Sequence, residues 1–377
     1  MKNNIKKIGI ITLNGYENYG NRSQNYATQE VIKSLGFNVE TIIVKDTPSN
    51  GNKNSIIIKK LQKMATMTVN EICTKINKKI NYYMNKNAID ERIKIFKSFS
   101  KKYILEENYY IINNNLADLS NRYDFFITGS DQVWNPLYIN RSPIYFLTFT
   151  RKNKRIAYAP SFGISDIPIE YEGKYKVWLS EMHRLSVRED AGAKIIKSLT
   201  RQDAPVLVDP TLMLTKEKWL SISKEPAKKS KSRYLLTYFL GGIPNEYQSK
   251  IRTIAKENKL KIINLADLRD RETYQTGPSE FIDYVNSASV FCTDSFHGAV
   301  FSILLEIPFI VFDRKSNSPS MYSRIDTLLT TFELNSRKAN NITTNEQVFQ
   351  VDYSHIPPIL ETERKKALDY LKEALNV

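Results

Sequence analysis

Thr293-Asp294-Ser295-Phe296-His297-Gly298 places an acid, a hydroxyl and an imidazole where a buried strand gives way to an apolar helix. Residues 288–291, with Ser289 their one polar member, suit the strand, and 299–305 suit a helix packed on a sheet. The first N–H groups of a helix lack internal partners and carry partial positive charge, so this turn is a natural seat for phosphate or carboxylate. His297 is one of only 3 histidines in the chain. An ordinary pKa of ~6.5 lets it give or take a proton near neutrality. The same residues would also serve as a plain helix cap with a histidine tying down a loop.

Two further groups could work with it. In Leu185-Ser186-Val187-Arg188-Glu189-Asp190, Arg188 falls where a short strand meets a helix spanning about 191–199. A guanidinium there can fork onto a carboxylate or phosphate, or pair internally with Glu189 or Asp209. In Gly129-Ser130-Asp131-Gln132-Val133-Trp134-Asn135, polar groups surround a tryptophan at the carboxyl end of a strand over 123–128. Asp131 and Gln132 suit sugar hydroxyls and Trp134 an apolar sugar face; otherwise Trp134 plugs the core.

The elements that must position these groups alternate between strand and helix. A strand at 8–12, the turn Asn18-Tyr19-Gly20-Asn21, a helix over 24–35 stopped by Gly36 and a strand at 39–44 open a Rossmann-like unit. The turn lacks G-x-G-x-x-G, so NAD is not expected. Strands are expected at 155–159 and 206–208, the latter closing the first domain. A polar stretch at 221–232 reads as a linker, and 233–377 repeats the alternation before a terminal helix over 361–375. The expected fold class is α/β: two Rossmann-like parallel-sheet domains, 1–220 and 233–377, facing a cleft. Ligands bind at the carboxyl edge of such sheets, so Arg188 would approach from one side and His297 from the other.

A net charge of +15 calls for anionic partners. From 53 to 102 there are thirteen Lys or Arg against three acids, with apolar residues at helical spacing, so a basic helical insert is expected at about 53–103. Its outer face is either simply solvated or a contact for an anionic membrane surface. No nucleic-acid module is recognisable, no apolar run approaches the ~20 residues of a membrane span, and no signal peptide is evident, so a cytoplasmic protein is expected. Cys73 and Cys292 make neither a disulfide framework nor a metal-ligand spacing.

With these residues in view, the chain resembles the polysaccharide pyruvyl transferase family, whose fold is similar to the two-domain GT-B glycosyltransferases. The resemblance rests on Asn18-Tyr19-Gly20-Asn21, the 129–135 segment, Ser186-Val187-Arg188-Glu189, Val208-Asp209-Pro210-Thr211 and Thr293-Asp294-Ser295-Phe296-His297-Gly298. Asp313-Arg314 and Ser323-Arg324-Ile325-Asp326 extend it over nearly the whole chain. It implies transfer of pyruvate from phosphoenolpyruvate, a co-substrate and not a bound cofactor, onto two hydroxyls of a sugar as a cyclic ketal. The acceptor would be a bacterial surface glycan, capsule or exopolysaccharide, or its lipid-linked precursor. The first domain would take the acceptor and the second the donor.

The resemblance further implies that Arg188 and His297 hold or activate the donor. Some members carry Arg two residues before the histidine, where this chain has Ser295. Phosphate contacts would then fall to Ser295, the helix N-terminus and Arg314, while Asn18, Tyr19, Gly20, Asn21, Ser130, Gln132 and Trp134 line the substrate site. Addition to phosphoenolpyruvate needs a proton on the methylene carbon, which protonated His297 could deliver, and a carboxylate such as Asp131 or Glu189 to take the hydroxyl proton. The mechanism requires no metal. Two other readings use the same residues differently: a nucleotide-sugar glycosyltransferase of GT-B fold, and a non-catalytic basic glycan- or membrane-binding protein.

Overall fold

The computed structural model describes residues 5–46, 69–111, 116–137, 142–227, 229–314 and 323–377. Its first sheet is wholly parallel, in the order β3-β2-β1-β4-β5. The strands are β1 (Lys7–Ile11), β2 (Asn38–Asp46), β3 (Glu106–Ile111), β4 (Phe125–Thr128) and β5 (Arg155–Ala157). Ile8 pairs with Val39 on one side and Phe125 on the other, and four of the five residues of β1 are buried. Helices cover both faces of such a strand, which is why its apolar residues run on without alternation.

The helix Tyr19–Ser34 begins earlier than its apolar pattern indicates because Asn18 caps it, accepting from the Asn21 N–H at 3.3 Å. Gly36, at φ 87°, ends it in a left-handed conformation that a side chain would oppose. Val69–Tyr103 is one helix of 35 residues, reaching from the basic segment into the core through Phe96 and Phe99. The expected basic residues at 53–68 lie outside the described residues. The expected strand at 206–208 is reduced to a single bridge between Val187 and Val206, because Asp209 turns at once to cap the short helix Pro210–Met213.

The second sheet is also parallel, in the order β7-β6-β8-β9, with β6 (Tyr234–Tyr238), β7 (Lys261–Asn264), β8 (Val290–Thr293) and β9 (Phe309–Val311). From β8 the chain enters the histidine helix, Phe296–Leu305, every residue of which is buried. A helix apolar nearly all round has no solvent face to offer, and here it lies at the centre of the molecule. The C-terminal helix, Ile356–Leu375, starts at two prolines that the first turn tolerates and crosses back to the first sheet. There Tyr370 donates to the Ala157 carbonyl at 2.6 Å, and Arg364 to those of Leu212 and Leu214, both at 2.7 Å.

The floor between the sheets is closed by packing. Tyr19 stacks on Phe281 with centroids 4.4 Å apart and meets Tyr238 edge-on at 5.1 Å. Arg92, from the long helix, is buried against the rings of Tyr19, Phe96 and Tyr274, at 4.6, 4.9 and 4.8 Å. It donates to the carbonyls of Glu17, Leu265 and Tyr274 and to the Tyr19 hydroxyl, so it binds both halves of the chain. One continuous core accordingly contains Ile8 and Ile10 of β1 together with Leu236 and Phe291 of the second sheet.

Candidate active site

Above that floor the carboxyl ends of β1, β4 and β5 meet those of β6, β8 and β9, and the charged residues gather there. His297 is the second residue of its helix. Ser295 caps that helix, accepting from the Gly298 N–H at 3.3 Å. The imidazole packs against the start of the first helix so closely that a Cβ on Gly20 would lie 2.1 Å from Nδ1. Only glycine leaves that room. His297 Nε2 points to Asp209 Oδ2 at 3.6 Å, a charge contact beyond hydrogen-bond length, and has no hydrogen-bond partner among the described residues.

Asp209 also binds Arg188, whose Nη1 stands 2.5 Å from Oδ2, while Arg188 Nη2 lies 3.4 Å from Asp131 Oδ1. The guanidinium covers the ring of Phe296 at 4.3 Å. Asp131 follows β4 at φ 69°, an uncommon left-handed setting for a residue other than glycine and one that recurs at functional sites. Its Oδ2 accepts from Asn21 Nδ2 at 2.5 Å. A second buried arginine, Arg324, comes from the helix Ser323–Thr331 and stands 4.0 Å from Asp131 Oδ1. Thus two arginines, a histidine, two aspartates and Glu189 share one largely desolvated place.

Burial raises the Asp131 carboxyl, but Arg188, His297 and Arg324 reverse this and hold it below the usual range. Asp209 is held far lower: burial opposes ionisation, and His297, Arg188 and the Thr211 N–H outweigh it. Glu189 goes the other way, since burial wins over Arg188 and Arg324 and lifts it above its ordinary value. Burial, aided by the like charge of Arg188, lowers Arg324 to about 10. Two carboxylates are therefore fixed negative charges, and a third is the readier to hold a proton.

The structure brings His297, Arg188, Asp131, Asn21, Gly20 and Ser130 together. Ser130 Oγ lies within hydrogen-bond distance of both Asp209 Oδ2, at 2.9 Å, and the Ala159 carbonyl, with one proton to give. Gln132 borders the cluster; with its amide oxygen turned toward Arg324 it accepts from Nη1 and Nη2 at 3.3 and 3.2 Å. Asn18 and Ser295 act as helix caps. Arg314 lies one loop away and is tied to Asp294, its Nε 3.0 Å from Oδ2.

Several expectations need correction. Trp134 does not offer its face to a sugar: it is fully buried, stacked on Phe146 at 5.3 Å, and its N–H is taken by the Tyr145 carbonyl. Tyr19 likewise belongs to the floor and not to the site, with its hydroxyl bound to the Thr276 carbonyl at 3.0 Å. Glu189 is no exposed base: Oε1 takes donors from Ser161 and from the N–H groups of Phe162 and Gly163, organising that turn. Arg188 makes the Asp209 ion pair weighed above as the alternative to ligand binding. The expectation gave no site role to Phe296 or Arg324, and took Asp209 only as an internal partner of Arg188. Asp209 before Pro210 reads as a cap, and Arg324 gave no signal beyond its place in a family motif. Among the described residues, no group of three or more His, Cys, Asp or Glu is placed to hold a metal ion.

Two parallel sheets with their carboxyl edges facing across such a cluster define a GT-B-like α/β protein. The chain belongs to the polysaccharide pyruvyl transferase family, whose sequence profile matches residues 18–316. A solved structure from Listeria monocytogenes, assigned as a UDP-N-acetylglucosamine 2-epimerase, is similar in fold, with a TM-score of 0.51 at 9% identity over 97% of this chain and 90% of that one. The UDP-GlcNAc 2-epimerase of Neisseria meningitidis gives a TM-score of 0.46 at 10% identity, over 98% of this chain and 99% of that one. Comparison with curated proteins gives no match.

Proposed function

We propose that this protein transfers the pyruvyl unit of phosphoenolpyruvate to two hydroxyls of a hexose, forming a cyclic ketal and releasing phosphate. The acceptor is a glycan of a bacterial surface polysaccharide, or its lipid-linked precursor. The observation that carries the reading, beside the family, is a titratable imidazole set next to Asp209 within a cluster of fixed charges. Asp209, held ionised, stands 3.6 Å from the ring nitrogen that would carry the proton. His297 then gives its proton to the donor's methylene carbon while a sugar hydroxyl attacks C2, and the imidazole regains a proton from that hydroxyl. A second hydroxyl replaces the phosphate at C2, and its proton leaves with the phosphate.

Asp131 is too strongly held by its cations to make an effective base. Its fixed negative charge instead favours the cation that develops at C2, as preorganised charge does in a site closed to water. Arg314 and the N-terminus of the histidine helix face the departing phosphate. Phosphoenolpyruvate offered with a panel of glycosides is expected to give free phosphate and a pyruvate-sized mass gain on one glycoside. Turnover of nucleotide sugars in place of phosphoenolpyruvate would instead assign a glycosyltransferase.

The long helix adds a proposed location, the inner face of the cytoplasmic membrane. No helix among the described residues is long and apolar enough to cross a membrane. Yet Ile80, Tyr82, Tyr83 and Met84 are exposed side by side on a basic element, Met84 at 74%. Apolar and aromatic groups beside lysines suit an anionic lipid surface, where a lipid-linked acceptor is presented. Vesicles rich in anionic lipid should therefore carry the protein upward on flotation, and less so as salt screens the charge. No flotation at low salt would leave this face merely solvated.

A further inference from the structure

We infer that Arg324, and not Arg188, receives the carboxylate of the donor; this rests on the phosphoenolpyruvate reading above. The two arginines are both buried beside Phe296, but their charges are spent differently. Arg188 has a carboxylate oxygen at 2.5 Å and a second at 3.4 Å. Arg324 has no such partner: its one ion-pair contact among the described residues is Asp131 at 4.0 Å, beyond hydrogen-bond reach. Among the described residues its Nη groups meet only the neutral amide of Gln132, and its Nε, in a side chain only 6% exposed, has no partner. A buried cation left in that state costs free energy until an anion arrives.

A second orphan belongs to the same cluster. Glu189 Oε2 is buried and unpartnered, its other oxygen being taken up by the 161–163 turn. Glu189 and Arg324 feel each other's charge, yet they do not form an ion pair. A group that reached both must accept from a guanidinium and tolerate a carboxyl that burial lifts above its ordinary value. A carboxylate does both, and its plane matches the fork of the guanidinium. A phosphate dianion fits less well, because Asp131 stands close by and carries a fixed negative charge. Phe296 packs Arg324 at 5.9 Å and is followed directly by His297, so an acid held there lies on the proton carrier's side of the cluster.

Isothermal titration of phosphoenolpyruvate, pyruvate and inorganic phosphate into the wild type, Arg324→Gln and Arg324→Lys tests this. Loss of a charged hydrogen bond should weaken phosphoenolpyruvate and pyruvate by about 10–100-fold in Arg324→Gln, with inorganic phosphate unchanged. Arg324→Lys should recover part of the loss, since it keeps the charge without the fork. Pyruvate bound as tightly by folded Arg324→Gln as by the wild type overturns the inference, as does an equal loss of phosphate affinity. If Arg324→Gln does not fold, unchanged pyruvate affinity in Arg324→Lys overturns it. A wild type that binds no phosphoenolpyruvate removes the functional reading and this inference together, whereas a wild type that binds it normally keeps the two failures apart.

Discussion

Replacing His297 by Gln is expected to lower turnover by about 10²–10⁴-fold, the usual worth of a positioned proton carrier, with a much smaller change in donor affinity. Glutamine keeps much of the imidazole's reach and polarity, so Gly20 still packs against it and the cluster keeps its shape. What it cannot do is exchange a proton with carbon or with a hydroxyl. The split matters more than the size of the loss. Steady-state rates beside titration with phosphoenolpyruvate would read it directly. Near-normal turnover in this variant would reduce His297 to a packing residue at the helix start and remove the proposed acid.

Arg188→Ala is expected to act on the fold before it acts on the reaction. The change removes the guanidinium from a buried Asp209 that keeps only neutral donors, Ser130 and Thr211, besides His297, and removing one partner of a buried pair costs about 3–5 kcal/mol. That is a large part of the roughly 5–15 kcal/mol that holds a typical domain together. Urea unfolding followed by circular dichroism should show the lower midpoint, and Arg188→Lys should restore some of it. The acid side should move as well. Asp131 and Asp209 are held below their ordinary values in the folded chain. Their contribution is therefore complete above the unfolded value of ~3.9 and disappears as the pH falls through the lowered one. Without Arg188 the acid unfolding midpoint should rise. A variant of normal stability that has lost only phosphoenolpyruvate would return Arg188 to the role of donor clamp.

The alternation of strand and helix was legible because parallel strands, covered on both faces, are continuous apolar runs between polar turns. Element ends were less so: Asn18 and Ser295 start their helices several residues before the apolar pattern does. His297, Arg188 and Asp131 could be picked out because each sits at the end of a strand or the start of a helix. Trp134 and Tyr19 misled for a shared reason. Each is an aromatic with one polar atom, and whether that atom serves a ligand or a backbone carbonyl is decided by residues far away, Tyr145 in one case and Thr276 in the other. The importance of Asp209 and Arg324 was hidden for a related reason, since a buried charge shows its worth only once its neighbours can be counted.

The aromatic floor has a consequence for how this chain comes to be folded at all. Two sheets joined by one linker suggest halves that could fold separately, but here Tyr19 and Arg92 from the first half fill space among Phe281, Tyr238 and Tyr274 of the second. The helix Ile356–Leu375 supplies partners to the carbonyls of Ala157, Leu212 and Leu214. Cutting the chain at the linker would strand a desolvated guanidinium on one piece and a bare aromatic face on the other. Each half keeps a smaller apolar cluster of its own, yet the largest core runs through both, so the two sheets are expected to unfold together.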